Sequence, residues 1–265
     1  MSLAPTHLLV DAHVHLHDCF DLAQLLDAAR LNFQQQGRQL GLTGKTLGIL
    51  LLTECSGVDA FASLMSAQTS LNQQLSAWQI STTAEATSLR FTHISGEILL
   101  IMAGRQVVTK EGIEVLTLIT EDTIEDGLSL EDTLQQAIES GSLPVLPWGV
   151  GKWIGKRGDL VSAHLAADAV QLFAGDNGGR PSFWPLPKAC KEYRQLPGTD
   201  PLPLSYEAER PGSFGFVAQP SADCADDKPG AALKQLLQSP HVKLEPYGRS
   251  QSLWRFVKNQ TLIRL

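Results

Sequence analysis

The 265-residue sequence contains little cysteine, few aromatic side chains and fewer positive than negative charges. Its four cysteines are scattered without any Cys-x-x-Cys spacing, at Cys19, Cys55, Cys190 and Cys224. This usage is typical of a reduced, cytoplasmic protein. Lysine and arginine number 21 against 28 aspartates and glutamates, which gives a formal net charge of −7. Because a duplex-binding domain usually carries a basic surface, we expect no nucleic-acid partner.

Long hydrophobic runs are also missing. The longest, from Leu47 to Thr53, is far shorter than the ~20 residues that a membrane-spanning helix needs. The N-terminus lacks the basic and apolar regions of a secretory signal. We therefore expect a cytoplasmic protein without a membrane partner.

The remaining composition is that of an ordinary globular protein, with 43% hydrophobic and 18% charged residues. A chain of this length buries roughly 70–75% of its unfolded surface, so it needs neither disulfides nor a structural metal to fold. No internal repeat and no long linker divides it. We expect one domain over residues 1–265, with a β-rich stretch at 88–120 and a loop-rich segment at 197–230; the sequence indicates no oligomeric state.

Strand and helix patterns alternate along the chain. The opening segment HLLVDAHVHLHD places apolar residues at every second position and acid or imidazole side chains between them, a period typical of a strand. A helical period then ends near Gly37, and Thr46 to Glu54 predicts a fully buried strand. Ser129 and Asp132 predict a helix start, while the C-terminal runs LWRFV and TLIRL favour strands. The alternation predicts an α/β fold of the parallel-barrel type.

The strongest chemical signal is Asp11-Ala12-His13-Val14-His15. Residues two apart on a strand project from the same face. His13 and His15 are thus placed to hold one ion, with metal–nitrogen bonds of about 2.1 Å. The alternative interpretation is an ordinary polar strand face. At the end of a first barrel strand, the two imidazoles would lie where active sites of that fold are found.

These residues, followed by a helix and by GILLLTECSGVDAF, resemble the start of the polymerase and histidinol phosphatase (PHP) family, and more distantly the amidohydrolase superfamily. The resemblance implies a distorted TIM-like barrel of seven or eight β/α units and a metal-dependent phosphoesterase activity. It also implies up to three metal ions, held by motifs spread along the chain. An amidohydrolase activity is the weaker implication, because the lysine or further histidines that usually follow are missing.

Only the first of those motifs is intact. The family's Thr-Asp-His corresponds to Thr53-Glu54-Cys55, and its Gly-x-Glu corresponds to Gly104-Arg105-Gln106. Its His-Val-Leu corresponds to Glu114-Val115-Leu116, and its Ala-His-Pro-like strand end falls on Leu146-Pro147-Trp148, which offers no ligand. The closing Gly-Ser-Asp-x-His corresponds to residues 198–202, which keep the aspartate and lose the histidine.

The resemblance therefore implies a reduced site. The metal ligands that it leaves are His13, His15, Asp200, Glu114 and Asp176. Such a site suits one divalent ion of zinc, manganese or iron, or none, with a metal-activated water as nucleophile. Asp200 and Glu54 are the carboxylates that we expect to serve as catalytic base.

Positive and amide side chains in glycine-rich segments are candidates for binding a small anionic substrate, a phosphate or a carboxylate. They are Lys152, Arg157, Arg180 and Asn177. Cations in such turns clamp anions when the turn faces a site, and are otherwise only solvated. Since most ligand positions of the family have changed, a second hypothesis stays open. It is a non-catalytic barrel that binds a small anion or a protein partner.

Overall fold

The computed structural model describes residues 5–167, 171–220 and 227–264, so Cys224 lies outside the described residues. The strands in these ranges are β1 (His7–Val14), β2 (Thr46–Leu52), β3 (Trp78–Thr82), β4 (Ser88–His93), β5 (Ile98–Met102), β6 (Gly104–Val108), β7 (Glu114–Leu118), β8 (Leu143–Trp148), β9 (Phe173–Asp176), β10 (Phe214–Ala218) and β11 (Glu245–Gly248). The helices are α1 (Leu22–Gln39), α2 (Ala60–Ser66), α3 (Gln68–Gln74), α4 (Leu130–Glu139), α5 (Lys156–Ala167), α6 (Lys188–Glu192), α7 (Pro229–Gln238) and α8 (Leu253–Leu262), with a 3-10 helix at Ser205–Glu209.

Seven strands form the first sheet, in the order β11-β10-β1-β2-β5-β4-β3. The central strands β1, β2 and β5 are parallel, and the outer strands pair antiparallel. The central strands are buried on both faces, which explains their nearly continuous apolar sequences. Helix α1 packs Leu25, Leu26 and Ala29 against one face of this sheet. Its N-terminus is capped by Asp21, which accepts a hydrogen bond from the Gln24 amide at 2.8 Å.

Four strands form the second sheet, in the order β6-β7-β8-β9, of which only the β8–β9 pair is parallel. Helices α4, α5 and α6 cover its outer face with a separate apolar cluster that includes Leu134 and Leu165. The predicted start of α4 is confirmed, because the Ser129 hydroxyl accepts a hydrogen bond from the Asp132 amide at 3.0 Å.

The two sheets meet at two places. On one side, the Glu54 amide donates to the carbonyl of Gly104 at 3.0 Å, and the Gln106 amide donates to the carbonyl of Glu54 at 2.8 Å. On the other side, the segment 194–200 makes backbone hydrogen bonds with both β9 and β1. The largest core cluster unites alternate residues of β1 and β2 with residues of β7 and β8, so the main core lies between the sheets.

The structure is mixed α/β, and its strands form two separate sheets that do not close into a barrel. The predicted (β/α)7–8 barrel is therefore not confirmed. The connections between β3, β4 and β5 and between β6 and β7 are too short to contain the crossover helix that parallel strands require. The β4 to β7 strands occupy residues 88–118 of the expected β-rich stretch.

The C-terminal strands predicted from LWRFV and TLIRL are wrong, because Leu253–Leu262 form helix α8, while Leu265 lies outside the described residues. Ser252 caps the helix by accepting a hydrogen bond from the Arg255 amide at 3.3 Å. Apolar runs this short do not distinguish a strand from a helix by their period. Within the described ranges, no helix has the length and hydrophobicity to cross a membrane.

Candidate metal centre

Two histidines converge at the carboxyl end of β1, as the strand period predicts. The Nε2 atoms of His13 and His15 are 3.1 Å apart. Both side chains are almost fully buried. The pairing of β1 with β2 shifts register between Asp11 and Val14, so the irregularity falls where the imidazoles leave the strand.

Asp200 completes the group from a segment that is distant in sequence. Its Oδ1 atom lies 3.5 Å from Nε2 of His13 and 3.3 Å from Nε2 of His15. The Asp200 amide donates to the carbonyl of His13 at 2.7 Å, which fixes the loop against β1. Asp200 has a φ of 45°, a left-handed conformation that aspartate tolerates better than most residues. Its other oxygen, Oδ2, accepts a hydrogen bond from Nδ2 of Asn177 at 2.9 Å.

The spacing of these three ligand atoms fits the coordination shell of a transition metal. Atoms bound at about 2.1 Å from one ion are separated by about 3.0 Å in octahedral and about 3.4 Å in tetrahedral geometry. The observed separations are 3.1, 3.3 and 3.5 Å. The residues therefore fit a divalent ion in both the type and the position of their ligand atoms.

The electrostatics of the group also suit a metal. Burial lowers the pKa of His13 to about 3 despite the opposing charge of Asp200, so this imidazole is neutral. Burial also acts on His15, but hydrogen bonding to Asp200 and Cys55 outweighs it and raises the pKa of His15 to about 9. Burial would raise the pKa of Asp200, yet the neighbouring imidazoles and Lys152 hold it well below its usual range. A metal cation would take the place of the proton that this cluster attracts.

Asp11, which precedes the histidine pair, anchors the site without facing it. Its carboxylate accepts hydrogen bonds from the Thr199 amide at 2.8 Å, the Thr199 hydroxyl at 2.7 Å and the Gly212 amide at 2.8 Å. Burial raises its pKa to about 6 against these hydrogen bonds. Asp11 thus ties β1 to the loop that carries Asp200. Its place in the polar period of β1 was visible in the sequence, but its distant partners were not.

Lys152 and Glu114 lie beside the metal centre and form an ion pair with each other. Burial opposes the charge on Lys152, but Asp200 and Glu114 outweigh this and raise the pKa of its ammonium group. Both side chains line a cavity of about 260 Å³, which also includes Gln106, Asn177 and Asp200. The predicted substrate-binding residues Lys152 and Asn177 therefore reach the centre. Glu114, expected as a metal ligand, contacts Lys152 and is not among the three grouped ligands.

Glu54 is engaged elsewhere. Its Oε1 atom accepts a hydrogen bond from the Phe61 amide at 2.6 Å at the start of α2, and its Oε2 atom is 2.9 Å from Nη1 of Arg105. Burial raises the pKa of Glu54 against both of these contacts. Arg105 also donates to Asp59 and to the carbonyl of Val58. Glu54 and Arg105 together hold the β2–α2 loop, and Glu54 stands outside the ligand group.

The remaining predicted residues also lie outside that group. Asp176 pairs with Arg180 at 3.2 Å and accepts a hydrogen bond from the Gly178 amide. Arg180 also donates to the carbonyl of Trp184 at 2.7 Å. Arg157 donates hydrogen bonds to the backbone carbonyls of Gly151 at 3.2 Å and Gly112 at 3.3 Å. The structure thus brings together His13, His15, Asp200, Lys152, Glu114 and Asn177 and leaves Glu54, Asp176, Arg157 and Arg180 in structural contacts.

The sequence analysis did not identify the residues of the C-terminal segment that line the opposite side of the cavity. Arg210, Gln251, Phe256, Asn259 and Gln260 line it together with Leu202. Four of them belong to α8 or to the segment just before it, and of these only Phe256 lies in a run that the sequence pattern assigned to a strand. No motif in the sequence links this segment to the histidines.

Comparison with known proteins gives a likeness of fold. No protein-family model and no curated protein sequence matches the chain. Among solved structures, the chain is similar to PsfC from Pseudomonas syringae PB-5123, with a TM-score of 0.58, 14% identity and coverage of 98% of both chains. It is also similar to the lesion-specific endonuclease PfuEndoQ from Pyrococcus furiosus, with a TM-score of 0.49 and 11% identity over 90% of this chain and 57% of that one. At such identities, the match to PsfC establishes a shared fold and no shared activity.

Proposed function

We propose that the protein is a metal-dependent hydrolase of the phosphoesterase class, with one divalent ion held by His13, His15 and Asp200. The observation that carries the proposal is the set of three ligand atoms, two on buried histidines and one on the half-buried Asp200, at separations of 3.1, 3.3 and 3.5 Å. Two imidazoles and one carboxylate leave coordination positions open, which is typical of catalytic rather than structural metal sites.

The proposal also includes a distorted barrel of the PHP type. It is supported by the histidine pair at the end of β1 and the aspartate of the late loop, whose ligand atoms lie together. Backbone hydrogen bonds connect the two sheets through Glu54 on one side and through the segment 194–200 on the other. These contacts support the view that the two sheets are the halves of one irregular barrel, with the metal centre at the carboxyl end of β1.

A divalent ion at this centre would supply a Lewis acid for the phosphoryl oxygen and would lower the pKa of a coordinated water. The protein's own residues would do the rest. Lys152 carries a positive charge at the cavity wall and would bind a phosphate oxygen, while Glu114 orients its ammonium group. Asn177 holds Oδ2 of Asp200 and so keeps Oδ1 facing the two imidazoles.

The substrate in this proposal is a small anion, and the cellular location is the cytoplasm. The cavity of about 260 Å³ contains a lysine next to the ligand group, which suits an anionic group. The described cysteines Cys19, Cys55 and Cys190 have free thiols, which supports a reducing compartment.

The test begins with elemental analysis of untagged protein that has not met a chelator. We expect about one equivalent of zinc, manganese or iron per chain, and hydrolysis of p-nitrophenyl phosphate or bis(p-nitrophenyl) phosphate. The double substitution His13→Ala and His15→Ala should remove both metal and activity. His241→Ala, at an exposed histidine outside the centre, is the matched control and should keep both.

Two outcomes would contradict the proposal. If the double variant holds as much metal as the wild type, the metal is bound elsewhere and the centre is misassigned. If the wild type takes up no metal after incubation with these ions, the metal-dependent hydrolase is excluded. Bound metal without hydrolysis of any phosphoester would favour the other hypothesis, a non-catalytic protein that binds a small anion.

A further inference from the structure

Helix α8 has its polar and apolar faces reversed relative to an ordinary surface helix. Of its ten residues, all of them described, Asn259 alone is buried. Trp254, Leu253 and Val257 are 78%, 54% and 48% exposed. A helix kept only for core packing would turn its apolar residues inward. The inward side of α8 places Asn259 and Gln260 beside Phe256, so its polar residues need a reason other than packing.

A buried ionic network holds α8 in place. Glu207, which is fully buried, lies 2.9 Å from Nη2 of Arg255 and 3.2 Å from Nη1 of Arg210. Asn259 donates to Glu207 at 3.1 Å and accepts a hydrogen bond from the Tyr206 hydroxyl at 2.6 Å. Two guanidinium groups thus share one carboxylate, and the network keeps a net positive charge behind the cavity.

The cavity that α8 covers is lined mainly by hydrogen-bonding groups. It extends from Asp200 and Lys152 to the amide side chains of Gln251 and Gln260. Its volume of about 260 Å³ is below the about 300–1,000 Å³ of pockets that hold drug-sized ligands. The cavity therefore suits a small polar molecule rather than a nucleotide chain.

Two amide side chains in this lining use their oxygen within the protein and leave their Nε2 donor free. The Oε1 atom of Gln251 accepts a hydrogen bond from Asn259 at 3.5 Å, and that of Gln260 accepts one from Arg264 at 3.4 Å. Neither Nε2 atom donates to any residue in the described part of the chain. Gln251 is 7% exposed, and its unused donor faces the cavity that the residue lines. A donor that the protein leaves free in a cavity is available to an acceptor atom of a ligand.

The backbone of Gln251 is fixed on both sides. Its amide donates to the carbonyl of Gly178 at 3.1 Å, and its carbonyl accepts from the Ser182 amide at 3.1 Å. These bonds join the segment before α8 to the glycine-rich loop that follows β9 and carries Asn177. The backbone of Gln251 is thus hydrogen-bonded to the same loop whose Asn177 orients the ligand Asp200.

We propose that Gln251 and Gln260 determine substrate specificity by donating hydrogen bonds to hydroxyl groups of a small phosphomonoester whose phosphate lies at Lys152 and the metal centre. This proposal rests on the proposed phosphoesterase function. The substrate class is a short hydroxylated carbon chain with one terminal phosphate, and not a strand of nucleic acid.

The experiment compares two phosphomonoesters that share a three-carbon chain. Glycerol 3-phosphate has two hydroxyl groups, and propyl phosphate has none. Because a site built to bond a hydroxyl group rejects an analogue without one, we expect kcat/KM of the metal-loaded enzyme to be at least about 10-fold higher for glycerol 3-phosphate. Gln251→Leu and Gln260→Leu should each reduce this ratio toward one. Gln74→Leu, on the exposed end of α3, is the matched control and should leave the ratio unchanged.

Each outcome decides one of the two proposals. If the wild type holds metal and hydrolyses p-nitrophenyl phosphate but shows a ratio near one, the phosphoesterase stands and the role of the glutamines is refuted. The same holds if both variants keep the wild-type ratio, or if a single-stranded oligonucleotide is cleaved faster than glycerol 3-phosphate. If the wild type holds no metal and hydrolyses none of these esters, the proposed function itself fails, and the specificity proposal with it. Gln260 is less buried than Gln251, so Gln260→Leu provides the test should Gln251→Leu fold poorly.

Discussion

Two carboxylates near the ends of neighbouring segments, the half-buried Asp200 and the buried Glu54, differ in the partners that surround them. Asp200 faces two imidazoles and an amide. Glu54 faces the guanidinium of Arg105 and a backbone amide. A guanidinium is always charged and can only donate hydrogen bonds to a carboxylate, whereas an imidazole can give up its proton and offer the freed lone pair to a metal. Whether a carboxylate can serve as a metal ligand or only as a structural anchor therefore depends on the side chains around it.

Matched carboxylate-to-amide substitutions would test this contrast, and they carry the largest effects that we expect. Asp200→Asn should lower metal affinity by more than 100-fold, because it removes a charged ligand that neighbouring groups only orient. Asparagine tolerates the left-handed backbone at this position. The metal-free protein should still lose roughly 1–3 kcal/mol of unfolding free energy, because the carboxylate that raises the pKa of His15 is gone. Metal titration and urea unfolding measure the two quantities.

Glu54→Gln should lower stability without the loss of metal affinity. The amide group would place a donor against Arg105 or the Phe61 amide, which costs about 2–3 kcal/mol of unfolding free energy, as expected for a lost hydrogen bond to a charged partner. Metal affinity should stay within about twofold of the wild type, since Glu54 stands outside the ligand group. Loss of metal with unchanged stability would make Glu54 a ligand and would remove the distinction between the two carboxylates.

Asn177→Ala should give a smaller effect at the centre. Its Nδ2 atom donates to Oδ2 of Asp200 at 2.9 Å, and removing an outer-shell partner of this kind lowers metal affinity by about 10–100-fold. Isothermal titration of the metal-free protein measures the change. Asp176→Asn is the neighbouring control, because Asp176 pairs with Arg180 and should leave metal affinity unchanged. Equal losses in both variants would mean that the loop, and not the hydrogen bond, supports Asp200.

The parts of this centre that the sequence predicts are those that depend on local geometry. The strand period was enough to place His13 and His15 on one face. Asp200 required the family resemblance, because nothing local connects it to β1. Glu54 and Asp176 pair with Arg105 and Arg180. The directions of these arginine side chains follow from tertiary packing, which the spacing of residues in the sequence does not reveal.

The same limit applies to the fold. Buried strands and capped helices such as α4 follow from hydrophobic period and from Ser129. The antiparallel pairing of β3 to β7 depends on the length of connections between strands, and the alternation of helix and strand elsewhere favoured a parallel barrel. Helix α8 was predicted as strand because Trp254 and Leu253, which are exposed in the structure, look like core residues in the sequence.

The smallest expected effect is that of Arg157→Ala. Arg157 and Lys152 are two cations that the sequence analysis treats alike. Arg157 donates to the carbonyls of Gly112 and Gly151 at 3.3 and 3.2 Å, whereas Lys152 lines the cavity beside Asp200. Arg157→Ala should therefore change kcat/KM for p-nitrophenyl phosphate by less than about twofold and stability by less than about 0.5 kcal/mol, as for most surface substitutions. Lys152→Met should raise KM at least about 10-fold, because a charge-assisted contact to the phosphate is lost. A larger effect of Arg157→Ala on KM would place the substrate outside the cavity, and would show that a cation bonded to backbone carbonyls still serves the site.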